Sequence, residues 1–491
     1  MSGFNRLIKN SLANIINGFS NVILGIVVSP FLLNTLSIDE FSVWSLCIQS
    51  GVIVSIIGLA GQITIGRFTS KYKYNNDNER LKKLFDTYVS FILISIMAFI
   101  IVLCLVLLFF SNIFPQIPPE IVYDAKIAFS LIFGSFIVGL LSTAFIGYFI
   151  GIERNFVIAN INVISRIVIG ISIVYTADYG LTSIAIIYFS VNCISYFMMY
   201  RQFKNFENYK FSFSFSSELS DILKFWGGLS IWNVAQFLIS GIGVFVVSIY
   251  DFDNLAYFVL AMTMVNAIVG ILGAIVNPVI QPIVKLTESG RFQTVDNLVV
   301  SLSMVFSLCI LLGVVLSSYL SLPILQIWVG QENGQKANEY FNLLLAAFAI
   351  RMAVAPYGMK LVAHAQQLKI AHFPVLEGLI NFILSIYFVS QFGAIGIAYA
   401  TFVAAILIML MYSTRFIKET ITNSKNFEIY TSFFVVPVLT VMLSFSSTDI
   451  ISNIEVEIIV IQVIFSCVAI ISCYINLKKT KIYLDEVKKN N

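Results

Sequence analysis

Charge is what this sequence has least of. Asp, Glu, Lys and Arg make up 11% of the 491 residues, against 58% hydrophobic residues. A soluble domain carries roughly a quarter charged residues to keep its surface wet, so a soluble globular protein is excluded. The net charge of +3 is too small for a nucleic-acid surface, and no such partner is expected. The six cysteines (Cys47, Cys104, Cys193, Cys309, Cys467 and Cys473) all fall inside apolar runs. None has the spacing of a redox pair or a metal site, so they read as small residues of helix cores or lipid faces. The pattern G-x-x-x-x-G-K-[ST] is absent, which excludes ATP hydrolysis by a P-loop.

Long apolar runs are abundant. They are mostly uninterrupted, whereas a β-barrel needs short segments of alternating polarity. Fourteen membrane-spanning helices are predicted, near 11–33, 41–66, 86–111, 124–151, 157–176, 180–200, 225–250, 255–284, 298–322, 338–362, 371–392, 394–416, 428–446 and 454–476. The expected class is an all-α polytopic membrane protein of about 14 transmembrane helices. Ser11–Leu33 is longer than a signal-peptide core, is studded with Asn and lacks an A-x-A site, so it is expected to be a permanent span. The longest loop expected outside is Pro323–Ala337, which leaves no room for a folded external domain.

Basic residues orient the chain. With both termini on the cytoplasmic side, 25 of the 29 Lys and Arg fall there and only Lys126 and Lys336 fall opposite. That bias is a strong positive-inside signal. The remaining two are Arg166 and Arg351, both deep inside predicted spans.

The first twelve spans form an internal repeat. Ser37-Ile-Asp-Glu-Phe lies opposite Asp251-Phe-Asp-Asn-Leu, and Leu81, Leu84 and Phe85 opposite Val295, Leu298 and Val299. Tyr179-Gly-Leu-Thr-Ser-Ile-Ala lies opposite Phe392-Gly-Ala-Ile-Gly-Ile-Ala, and Arg201 opposite Arg415. The expected organisation is a six-helix lobe over 1–200, a cytoplasmic linker over 201–224 and a second six-helix lobe over 225–416. Two extra helices over 428–476 and a basic cytoplasmic tail over 477–491 follow. Each lobe holds an even number of spans, so the repeats are parallel and pseudo-symmetric about the membrane normal. Within the linker, Leu219, Ile222, Leu223 and Trp226 have helical spacing. They fit an interfacial amphipathic helix, or equally the first turns of span 7. Pro30, Pro278, Pro282 and Pro356 mark places where helices can bend.

Arg166 carries most of the functional argument. It sits at the middle of Phe156–Thr176, with Asn162 and Gly170 on the same face and Ala159 close by. A guanidinium at mid-membrane costs roughly 2.5–3.5 kcal/mol on insertion scales, so it must face protein or water. Arg351 poses the same problem in the second lobe. One reading is a cationic cavity that attracts an anion such as phosphate. The other is a structural ion pair with Glu377, which can reach one arginine but not neutralise both. Span 1 carries Asn14, Asn17 and Asn21 on one face, continued by Asn10. Its repeat partner, span 7, carries Trp232 and Gln236, continued by Ser240 and Gly243. These stripes fit two walls of one aqueous cleft, or interhelical hydrogen bonding. His364 and His372 flank a cytoplasmic turn, where a surface role is expected rather than proton coupling.

Two six-span lobes, Phe392–Ala398 at the start of span 12 and Ile327-Trp-Val-Gly after span 9 resemble the multidrug/oligosaccharidyl-lipid/polysaccharide (MOP) exporter superfamily. Within it the chain is most similar to polysaccharide, or O-antigen, flippases of the Wzx type. The resemblance covers essentially the whole length; its motifs are short, and the architecture carries it. It implies a MATE-like pair of bundles, not an enzyme, alternating between inward- and outward-open forms in a bacterial cytoplasmic (inner) membrane. It implies a substrate too: an undecaprenyl-pyrophosphate-linked oligosaccharide repeat unit, moved outward for polysaccharide or lipopolysaccharide assembly. Arg166 and Arg351 would supply the positive lumen of such flippases, with Asn14, Asn17, Asn21, Asn162, Trp232, Gln236 and Glu377 around them. The implied partners are the lipid-linked oligosaccharide, membrane lipid and other polysaccharide-assembly proteins, with the chain a monomer. No cofactor or metal is expected, and coupling to a H+ or Na+ gradient stays open. Many members have twelve spans rather than fourteen; in related lipid flippases two extra helices hold the polyprenyl tail. Two rivals stand beside this reading. A cation or drug antiporter of the same superfamily would need buried acids in the first lobe, where none lies away from a span end. A membrane-embedded polymerase or transferase would need an external loop or an acidic constellation.

Overall fold

The computed structural model describes residues 20, 24–207, 209–215, 219–276, 280–364, 372–419, 435, 436, 439 and 455–488. Among them the protein is all-helical, and twelve helices are long and apolar enough to cross a membrane. Predicted spans 1 and 13 fall mostly outside the described residues. Of span 1 the structure shows α1, Leu24–Thr35. The chain divides into two compact units, Met1–Val259 and Leu260–Asn491.

The first unit contains α1, α2 (Ile38–Tyr74), α3 (Asn78–Leu108), α4 (Phe110–Ile113), α5 (Val122–Gly151), α6 (Phe156–Thr176), α7 (Leu181–Phe206), α8 (Leu219–Ser240) and α9 (Ile242–Tyr250). It ends within α10 (Leu255–Val276). Its centre is the seam between α2 and α5. Helices in lipid gain nothing by burying one apolar face against another, so close backbone approach supplies much of the attraction. Glycines make that approach here. A Cβ on Gly147 would lie 2.6 Å from Ile65 Cβ and 2.8 Å from the Gln62 carbonyl oxygen. One on Gly151 would lie 2.7 Å from the Gly66 carbonyl oxygen. Outside this seam α3 turns Ile94, Met97, Ile101, Leu105 and Leu108 outward, the surface a helix presents to lipid.

Local chemistry sets the helix starts, and the repeat shows in it. Ser37 caps α2 in a capping box: Glu40 N–H donates to Ser37 Oγ at 3.2 Å, and Ser37 N–H to Glu40 Oε2 at 2.9 Å. Its counterpart Asp251 begins the short turn ahead of α10 and accepts from Asn254 Nδ2 at 2.9 Å. Gly180 (φ +85°) precedes α7, and Gly393 (φ +66°) precedes α16 (Ala394–Glu419). Glycine takes this left-handed region without steric cost.

The junction after α7 is tied down rather than slack. Asp86, buried near the start of α3, accepts from Tyr209 Oη at 2.7 Å and from Ser212 N–H at 2.9 Å. Ser214 N–H donates to Ser90 Oγ at 3.1 Å. Burial, then the Asp86 carboxylate, push the Tyr209 phenol well above its ordinary range. The amphipathic stretch from Leu219 forms the first turns of α8, continuous with the span. Ile222 is buried, and Trp226 donates to the Ile57 carbonyl oxygen at 3.1 Å while its ring meets Phe91 at 4.7 Å. Because α8 lies along α2, the compact-unit boundary at 259/260 comes later than the 201–224 linker read from the repeat.

The second unit contains the rest of α10, then α11 (Ile280–Glu288), α12 (Phe292–Val329), α13 (Gln331–Ala353), α14 (Ala355–Ala363), α15 (His372–Phe392), α16 and α17 (Glu455–Lys488). Two expectations need correction here. The external loop expected at Pro323–Ala337 is helical, because α12 runs through Pro323 and only Gly330 (φ +90°) separates it from α13. The basic stretch after residue 476 continues α17 to Lys488. Polar contacts hold α17 to α12: Thr480 Oγ1 donates to Ser301 Oγ at 3.1 Å, and Ser301 Oγ to the Asn476 carbonyl oxygen at 3.0 Å. Pro356 stands at the second position of α14, just past the break at Val354, where its missing N–H leaves no bond unmade. Pro278 lies outside the described residues.

The glycine seam is testable. Gly147→Val should cost about 1–3 kcal/mol by overpacking, because the obstructing atoms belong to backbone and to a β-branched residue. A fall in melting temperature of the detergent-purified protein, with Gly313→Ala unchanged as the control in open space, is the expected result.

Candidate functional site

Arg166 lies halfway along α6. In the hydrocarbon region its guanidinium needs acceptors or a polar void, and the fold supplies both. Its Nη1 donates to Ser20 Oγ at 3.1 Å. It also borders a cavity of about 400 Å³ enclosed by α2, α5, α6 and α7. Gln62 and Ser55 reach this cavity from α2, Ser142 and Thr143 from α5, Asn155 and Asn162 from the start and face of α6, and Tyr196 from α7. Among the described residues lining it, Arg166 is the one with a charged side chain.

Other glycines of α2 and α5 shape this space. Tyr88 reaches across to Thr143, with 2.8 Å between the hydroxyls, because Gly61 leaves room for it: a Cβ there would stand 1.9 Å from Tyr88 Oη. Gly139 does the same for Tyr196, whose hydroxyl would lie 2.7 Å from an added Cβ. The result is a set of amide and hydroxyl groups around one guanidinium. Chemically it can bind a polyhydroxylated or amide-bearing group next to an anion. Among its described lining residues there is no Asp, Glu, His or Cys.

A second opening meets the same residue. Arg166 and Ser20 lie at one end of an apolar groove of about 590 Å³ between α1 and α6, walled by Leu24, Val27, Val28, Ile167, Ile171 and Val174.

Arg351 has a different setting. It lies near the end of α13 and forms an ion pair through Nε with Glu377 of α15. Its Nη2 is 3.4 Å from the Thr401 carbonyl oxygen, and its guanidinium lies 4.7 Å from the Phe348 ring centre. Glu377 is only 5% exposed. Of the two readings left open for Arg351, its surroundings are those of the structural ion pair. Elsewhere in the second unit, a separate apolar cavity of about 440 Å³ lies among α10, α12 and α13.

No protein-family model matches the sequence, and no curated protein matches it. Solved structures do. The lipid II flippase MurJ in an inward closed conformation matches with a TM-score of 0.69 at 16% identity, covering 98% of this chain and 99% of that one. An inward-facing multidrug-resistance MATE family transporter of the MOP superfamily matches with a TM-score of 0.56 at 14% identity, over 85% of this chain and 100% of that one. The Vibrio cholerae MATE transporter VcmN, as a point mutant, gives 0.51 at 12% identity, over 85% and 97%. This is the MOP-exporter fold.

Within that fold the sequence-predicted residues separate. Asn162 and Arg166 share the cavity of the first unit, with Ala159 beside them, and Gly170 faces the α1 groove. Glu377 and Arg351 are joined to each other in the second unit. Trp232 and Gln236 are exposed on α8. The α8 face that meets α2 carries Trp226 and Asn233 instead, the latter donating to the Ile56 carbonyl oxygen at 3.3 Å. Asn14, Asn17 and Asn21 lie outside the described residues. Gln62, Asn155, Ser142 and Tyr196 were missed. Gln62 has a sequence signal, an amide inside predicted span 41–66, but it shares that signal with Gln49 of the same span. His364 has its pKa lowered by burial and by neighbouring Lys360.

Removing one member of the Arg351–Glu377 pair leaves the other charge buried and alone. Glu377→Ala should therefore destabilise the protein by about 3–5 kcal/mol, while the double replacement Arg351→Met with Glu377→Met recovers most of that loss. Thermal unfolding of the wild type, both single variants and the double variant in detergent measures this.

Proposed function

We propose that the protein is a flippase that moves an undecaprenyl-pyrophosphate-linked oligosaccharide across the bacterial cytoplasmic membrane by alternating access. The observation that carries the reading is Arg166: one guanidinium, halfway along a membrane-spanning helix, in a cavity otherwise lined by amides, hydroxyls and apolar groups. A pyrophosphate suits the guanidinium as a bidentate acceptor. Sugar hydroxyls suit the amides of Asn155, Asn162 and Gln62. Such a headgroup cannot cross hydrocarbon unaided, because each polar group stripped of water costs several kcal/mol. A cavity of this kind replaces the lost hydrogen bonds.

The likeness to the lipid II flippase takes in 98% of this chain and is consistent with a lipid-linked substrate. A cation or drug antiporter would call for an acid in this cavity, and none stands among its described lining residues. In this reading Asn14, Asn17 and Asn21 extend the polar wall, and Trp232 and Gln236 face the substrate path. Both termini are cytoplasmic, the protein works as a monomer alongside polysaccharide-assembly proteins, and it needs no resident cofactor. Glu377 and Arg351 support the second lobe.

Export of surface polysaccharide by cells lacking the chromosomal copy, at matched protein level, tests the reading. Arg166→Ala should lower export about tenfold or more, the worth of a charge-assisted hydrogen bond. Arg166→Lys, which keeps the charge but loses the planar fork, should fall between. Normal export by Arg166→Ala would overturn the proposal, as would extrusion of cationic dyes by the purified protein in exchange for Na+ or H+.

A further inference from the structure

The two cavities that meet at Arg166 differ in kind. On one side is the polar cavity inside the first unit. On the other is the groove between α1 and α6, apolar along its whole wall apart from Ser20 and Arg166. Val27, Ile167 and Ile171 are each more than half exposed, so this groove is open along its length. The groove has a defined floor. Gly170 lets α1 approach closely, since a Cβ there would lie 3.1 Å from Leu24 Cδ1 and 4.0 Å from Val28 Cγ2. A guanidinium that only stabilised protein would be expected to face away from lipid. This one stands where a polar cavity and an open apolar groove join.

We propose that Arg166 is the hinge point of a bipartite site for a polyprenyl pyrophosphate, with the pyrophosphate on the guanidinium, the sugar in the α2–α5–α6–α7 cavity and the chain along the α1–α6 groove. This inference rests on the lipid-linked reading above and adds to it the path of the tail. The order of chemistries fits one amphiphile: polyhydroxylated group, then anion, then hydrocarbon. The groove is a single furrow between two helices, matched to one chain. A phospholipid carries two chains, and its small headgroup would not extend along the cavity wall past Asn162 to Gln62. The tail thus leaves the protein through the first unit, while the headgroup stays out of hydrocarbon throughout.

Photo-crosslinking with the full-length protein in phosphatidylglycerol-containing nanodiscs tests this. A photoreactive amino acid is placed at Ile171 in the groove, or at Ile194, equally exposed on α7 but outside it. The probe is radiolabelled undecaprenyl pyrophosphate. Labelling should be about tenfold stronger at Ile171 than at Ile194 and should drop by a similar factor with Arg166→Gln, the factor expected for one charge-assisted contact. Ile167→Trp with Ile171→Trp, which leaves Arg166 in place and fills the groove, should weaken binding of undecaprenyl pyrophosphate but not of inorganic pyrophosphate. Equal labelling at the two positions, or normal binding by the double tryptophan variant, would overturn the tail path. If binding still depended on Arg166 in that case, the flippase reading would stand. Loss of Arg166 dependence altogether would remove both. Competition by phosphatidylglycerol as effective as by unlabelled probe would make the groove a phospholipid site and overturn the proposal.

Discussion

A guanidinium in hydrocarbon must be given something to hold, and the structure is arranged around meeting that demand twice. The first unit builds a polar room beside Arg166. The second brings a carboxylate, Glu377, to Arg351. These solutions have opposite consequences. An ion pair closes on itself and leaves little field for a ligand. A room lined by neutral dipoles sets no carboxylate beside the guanidinium among its described lining residues. Pseudo-symmetric lobes therefore hold deep arginines in different electrical states.

The room depends on glycine. Were the α2–α5 seam spaced by ordinary side chains, α5 would stand further off and the hydroxyls of Tyr88 and Thr143 could not meet. Packing and site are then one problem. Gly147 and Gly151 bring the backbones together, and other glycines of the same two helices, Gly61 and Gly139, leave the notches into which Tyr88 and Tyr196 reach. In lipid, where hydrophobic burial gives helices no reason to associate, such contacts carry a larger share of the fold than in a soluble core.

Much of this was legible in the sequence. Long apolar runs give the all-helical class and the order of the described helices, because each run depends on local chemistry alone. Arg166 and Asn162 were found because a charge in a span is conspicuous and a helical face is a matter of counting. What lay beyond reach depended on which helix faces which. Ser142 and Tyr196 look like ordinary span residues until α5 and α7 bring them to one cavity. That Trp226, and not Trp232 six residues on, meets α2 depends on how α8 is rotated against it. Pro323 suggested a loop, but an α-helix tolerates proline where neighbouring groups in a membrane protein satisfy the freed carbonyl.

The Arg351–Glu377 pair also bears on how the chain enters the bilayer in the first place. Its members are 26 residues apart, on consecutive membrane-crossing segments. A ribosome delivers the basic one first, and that segment alone is a poor candidate for release into lipid. The acid arrives with the very next crossing. The two segments are therefore suited to leave the insertion machinery together, as a neutralised hairpin, with the order of synthesis doing for the second half what a ready-made polar room does for the first.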